Sequence, residues 1–79
     1  MELSRPTDAQ LNAIHAWAKW KLDALLLREA LAWLEKNATR RQVSQEISRI
    51  RGLYYDHKLD STTFFESPVW DGFKVKNEE

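Results

Sequence analysis

The densest grouping of titratable side chains in this 79-residue chain is Asp56-His57-Lys58, with Asp60 two residues further on. An imidazole among carboxylates is a pairing that general acid–base catalysis uses, because a neighbouring carboxylate orients the ring and stabilises its protonated form. Here the pairing has no reaction to serve. No serine or cysteine stands in a recognisable nucleophile elbow, and a chain this small rarely encloses the cleft that a substrate needs. His15 is adjacent to Ile14 and one turn before Lys19, and reads as a half-buried or exposed helix residue. With 2 His and 0 Cys a conventional zinc site is short of ligands. The only glycines are Gly52 and Gly72, so no glycine-rich phosphate loop exists. The expectation is a chain with no enzymatic activity, cofactor, metal or small-molecule substrate.

Binding chemistry is better represented. Arg40, Arg41, Arg49 and Arg51 are interleaved with Gln42, Ser44, Gln45 and Ser48, the residue types that contact phosphates and base edges. The whole chain nevertheless has a formal net charge of +0, so no overall field drives it toward nucleic acid or an anionic membrane. The charge is divided along the chain. Residues 1–39 carry five basic and five acidic side chains, residues 40–51 four Arg against Glu46, and residues 52–79 three basic against six acidic. Attraction between the basic segment and the acidic tail is the leading expectation for the arginines. A nucleic-acid contact is the alternative. Four Trp are present, a residue type that fills cores and anchors interfaces.

These side chains need elements to hold them. Thr7 and Gln10 form a capping-box pair that starts a helix, with Asp8 on the favourable side of its dipole. From there to Lys36 the chain has no Gly, no Pro and only one β-branched residue, Ile14. A single helix over this run would be roughly 43 Å long, more than a compact domain of this size spans. It therefore either breaks into a hairpin near residues 19–23 or lies whole against a partner. Asn37 suits a left-handed helix end, and Thr39 with Gln42 repeats the capping box. A second helix starts at about residue 40 with Val43, Ile47, Ile50 and Tyr54 along one face. Gly52 has the character of a stop signal, yet Leu53 and Tyr54 keep the helix's phase, so the expectation is a helix that passes through Gly52 toward Lys58 at a cost of about 1 kcal/mol. Beyond it, Asp60-Ser61-Thr62-Thr63 can cap a turn and Ser67-Pro68 starts another. Asp71-Gly72 has hairpin character, with Val69-Trp70 and residues 73–76 as possible short strands. The result is an all-α single domain: an N-terminal arm over 1–7, a helical core over 8–60 and an irregular aromatic tail over 61–79 packed across the helices.

On a helical wheel the first helix is apolar on two opposite sides. One stripe, Ala13, Trp17, Trp20, Ala24, Leu27, Leu31, Leu34 and Ala38, steps alternately by four and three residues, as a heptad seam does. The other contains Leu11, Ile14, Ala18, Leu22, Leu25, Leu26 and Trp33. The remaining chain is short for covering both, which predicts association, with a homodimer as the leading form and a closed monomeric three-helix domain as the alternative. The function expected is noncatalytic protein binding, as a small cytoplasmic adaptor, inhibitor or regulatory subunit. Its contact residues are expected to be Trp17, Trp20, Leu27, Leu31 and Leu34. Trp70 is either a further anchor or a lid on the core. The alternative is a dimeric nucleic-acid-binding regulator using Arg40, Arg41, Arg49 and Arg51. No secretory leader is expected, because Glu2, Arg5, Pro6 and Asp8 interrupt the start, and no apolar run is long enough to span a bilayer.

Overall fold

The computed structural model describes residues 5–73. Three helices, α1 (Asp8–Ala18), α2 (Ala24–Asn37) and α3 (Arg40–Tyr55), are followed by single 3₁₀ turns at Thr63–Phe65 and Pro68–Trp70. No strand occurs among the described residues, and the chain is all-α.

The first helical run is broken, and Asp23 makes the break. Its Oδ2 accepts from the backbone N–H groups of Leu25 and Leu26, both at 3.1 Å, satisfying two of the donors that a helix start leaves without partners. Upstream, the Ala18 carbonyl accepts from Lys21 at 2.9 Å and from Leu22 at 3.0 Å, closing α1 in a tight turn. A rod of roughly 43 Å would overrun the molecule, whose longest extent is 36 Å. The radius of gyration is 11.8 Å, against about 11.6 Å for a compact chain of this length.

Both capping boxes form, Thr7 with Gln10 and Thr39 with Gln42. The α1 box also ties two elements together, since Gln10 Nε2 donates to the Arg40 carbonyl at 3.2 Å. At the far ends of the same helices Trp17 meets Tyr54 with ring centroids 5.1 Å apart. Hence α1 and α3 run parallel and α2 returns antiparallel between them in sequence. Asn37 does not take the left-handed conformation. The two residues that follow it, Ala38 and Thr39, are both extended (φ −116° and −92°) and turn the corner by themselves. The α2 carbonyls are met instead by the Ala38 N–H on Leu34 and by the Asn37 amide on Trp33. α3 runs through Gly52 and ends at Tyr55, short of Lys58.

The break also changes the meaning of the two apolar stripes. α1 buries Ile14 and Ala18, from one stripe, whereas α2 buries Leu27, Ala30 and Leu34, mostly from the other. Each half turns its own stripe inward, because the five residues between the two helices, 19–23, re-aim the second. The heptad stepping from Ala13 to Ala38 crosses this corner, so it does not form a continuous seam. The core is completed by Val43, Ile50, Leu59, Phe64 and Trp70. α1 packs against both other helices.

The aromatic tail closes over this core. Phe64 and Phe65 both contact Trp70, and Phe65 stacks on Phe73 at 5.3 Å. Trp33 Nε1 donates to the Val69 carbonyl at 3.0 Å. Gly72 has φ 93°, and a Cβ there would stand 3.1 Å from the Trp33 ring, so both conformation and space call for glycine. The expected hairpin does not include Val69 and Trp70, which belong to a 3₁₀ turn opened by Pro68. Proline at that position fixes φ and lacks the N–H that a strand ladder would use. Residues 74–76, its other expected strand, lie outside the described residues.

Candidate functional site

The histidine and carboxylate grouping around residue 57 has a local structural use. His57 adopts φ 60°, its N–H donates to the Tyr54 carbonyl, and the Lys58 N–H donates to that of Leu53. This crossed pair is a Schellman helix end with histidine at the left-handed position. Asp60 Oδ1 accepts from the Thr63 N–H at 2.8 Å and the Thr62 N–H at 2.9 Å. Those two donors hold the Asp60 carboxyl below the ordinary carboxylate value. His15 is exposed on α1. Among the described residues no group of three or more His, Cys, Asp or Glu is placed to hold a metal ion.

The arginines separate into two kinds. Arg49 is drawn inside: Nη1 donates to the Thr63 carbonyl at 2.7 Å and Nη2 to the Phe64 carbonyl at 2.6 Å. Its guanidinium also pairs with Glu46, which is only 5% exposed. The second Glu46 oxygen accepts from Ser67 Oγ at 2.7 Å. The cluster bolts the aromatic tail to α3, and it removes Arg49 from any outward-facing set. Glu46 sits on the buried arc of α3 beside Val43 and Ile50, a position that the helical phase already indicates. Arg40, Arg41 and Arg51 are exposed. Arg40 Nε donates to the Arg5 carbonyl at 3.3 Å.

The residues expected to form an apolar contact seam are dispersed. Leu27 (1% exposed), Leu34 (0%) and Trp70 (5%) are buried within the chain itself, so the seam is not a surface and Trp70 is a lid on the core. Leu31 and Trp17 are half-buried. Trp20 alone of this set is largely exposed, at 73%, and two residues that the stripe does not contain join it: Tyr55 at 65% and Leu25 at 60%. The helix directions bring all three to one end of the bundle, where α1 finishes, α2 begins and α3 finishes. Trp17 forms the floor of this end, touching the rings of Tyr54 at 5.1 Å and Tyr55 at 5.4 Å. Lys19 Nζ lies 5.0 Å from the Trp20 ring centroid, near enough for a cation–π contact.

Beside Leu25 is a shallow hollow of about 110 Å³ lined by Asp23, Leu25, Leu26 and Glu29. Pockets for drug-sized molecules run to roughly 300–1,000 Å³, so this one is too small for such a ligand. Sequence reasoning passed over Tyr55 because it lies on the polar side of α3, and Leu25 because it was counted into a stripe. An aromatic residue out of phase with its own helix is the signal that would have singled out Tyr55. Among the described residues no helix is long and apolar enough to cross a membrane. Comparison with protein-family models, with curated proteins and with solved structures finds no match.

Proposed function

We propose that this chain is a noncatalytic protein-binding module, a small adaptor, inhibitor or regulatory subunit. Its docking surface on this reading is the end of the bundle that carries Trp20, Leu25 and Tyr55. The observation that carries the reading is Trp20, at 73% the most exposed of the large apolar side chains among the described residues, at the end of the bundle where Trp17, Tyr54 and Tyr55 pack together. Scattered exposed apolar residues are ordinary on a protein surface. Three large ones at one end, two of them aromatic, are what interface anchors look like. Burying each such side chain is worth about 1.5–3 kcal/mol, and rings held in advance by Trp17 lose little conformational freedom on docking. The partner is either a second copy of the chain or another protein.

The test compares the wild type with a Trp20→Ser, Leu25→Ser double variant. Sedimentation at rising concentration reports self-association, and affinity capture from cells that encode the chain reports a foreign partner. The variant should melt as the wild type does, because both side chains are mostly in solvent, yet lose the assembly. A wild type that stays monomeric and captures nothing in stoichiometric amount, or a variant that assembles undiminished, would sink the proposal.

A further inference from the structure

The solvent side of α3 has a chemistry unlike the rest of the surface. Arg40, Arg41, Ser44, Gln45, Ser48 and Arg51 are all exposed and fall within an arc of about 140° at 100° per residue. The only carboxylate of the helix, Glu46, is buried on the opposite side with Arg49. No salt bridge holds Arg40, Arg41 or Arg51 among the described residues. Among the described residues the arc is therefore a positive face with no ion pair of its own.

Gly52 lies at the edge of the same arc. It is exposed inside a helix, where glycine is the least favoured residue after proline. A Cβ built on it would meet nothing within 4 Å, and its backbone does not adopt a positive φ. Among the described residues nothing calls for a missing side chain at this position. Close approach from outside would.

The chemistry of the arc selects the class of partner. A protein interface is built around an apolar centre with a polar rim, whereas this face carries no apolar side chain from Arg40 to Gly52 and only Tyr55 at its C-terminal edge. A polyanion needs no such centre. Arg40 and Arg51 are eleven residues apart, or about 16 Å along the axis. The major groove of B-DNA is about 12 Å wide and admits a helix, so arginines at the two ends can reach phosphates on both sides of it. Ser44, Gln45 and Ser48 then face the base edges, and Gly52 lets the sugar–phosphate backbone come against the helix. An A-form RNA duplex, with its deep, narrow major groove, does not admit a helix in this way. We propose that the exposed face of α3 is a binding site for double-stranded DNA. The site does not depend on the protein-docking reading and uses neither Trp20 nor Leu25, though Tyr55 of the docking end borders it one turn beyond Arg51.

Fluorescence anisotropy with a labelled duplex of about 20 base pairs, long enough for one helix in one groove, tests the proposal. Three phosphate contacts predict a logarithmic salt slope near −2.7, or about a 40-fold loss of affinity between 50 and 200 mM salt. An Arg41→Gln, Arg51→Gln variant should lower the slope by about two while its melting temperature stays put. Gly52→Leu should move two readouts in opposite directions: a higher melting temperature, since leucine is a good helix former, and at least a several-fold weaker duplex affinity. The proposal is overturned if the wild type shows no salt-dependent duplex binding, or if Gly52→Leu binds as tightly as the wild type. Polyglutamate competing as well as unlabelled duplex at equal charge would also overturn it, by showing a general preference for acidic polymers. Trp20→Ser should leave duplex binding unchanged, which keeps this outcome separate from that of the docking surface.

Discussion

His57 occupies the left-handed region at φ 60°, where a side chain costs about 1–2 kcal/mol that glycine does not incur. Its contribution to the fold is therefore the conformation and not the imidazole, and His57→Gly should raise stability by about 1 kcal/mol in a urea or thermal unfolding series. A loss of stability on that substitution would mean that the ring makes a contact the backbone reading does not include. At the same scale, Glu46 and Arg49 show what individual residue types leave undecided. Their spacing of three is visible as a helix pair, and the phase of α3 puts Glu46 among Val43 and Ile50. That Arg49 also reaches the carbonyls of Thr63 and Phe64 depends on where residues fourteen and fifteen positions away come to rest. Spacing within one helix carries no information about them.

At the level of elements, the decisive feature is the corner at residues 19–23. Lys19, Lys21 and Leu22 are good helix formers and no Gly or Pro intervenes, so propensity alone does not stop α1, and the stop is imposed by Asp23 capping α2 against a core that rewards folding back. Asp23→Ala removes the acceptor for the Leu25 and Leu26 N–H groups and should cost about 1 kcal/mol. Hydrogen exchange of the first turn of α2 would show the loss locally, ahead of the rest of the helix. The capping boxes at Thr7 and Thr39 were legible in advance because they are made within four consecutive residues. The Asn37 stop was not, since a left-handed helix end is only one of the ways to leave a helix. Here two extended residues carry the chain directly into the next cap.

For the molecule as a whole, the tail is held to the helices by the apolar burial of Phe64 and Trp70, by the Trp33 hydrogen bond to the Val69 carbonyl and by the polar cluster of Glu46, Arg49 and Ser67. Glu46→Ala would leave Arg49 charged and half-buried with only carbonyl partners. Because the guanidinium keeps some access to water, the expected loss is about 2–3 kcal/mol, below the full value for a sealed pair. It should appear as loosened packing around Trp33 and Trp70, read by tryptophan fluorescence and by unfolding of the purified chain. Taken alone, the amino-acid sequence settled what depends on near neighbours: an all-α chain, helix starts at Thr7 and Thr39, and an aromatic segment after the last helix, while it left Gly52 readable as either a stop or a point of passage. Tertiary structure decided which apolar stripe of each helix turns inward, and with it that Leu27, Leu34 and Trp70 face the chain's own core while Trp20, Leu25 and Tyr55 face water. A periodic pattern records which residues share a side of a helix. It does not record where the helix bends, and one bend is enough to bring opposite sides to the same interior.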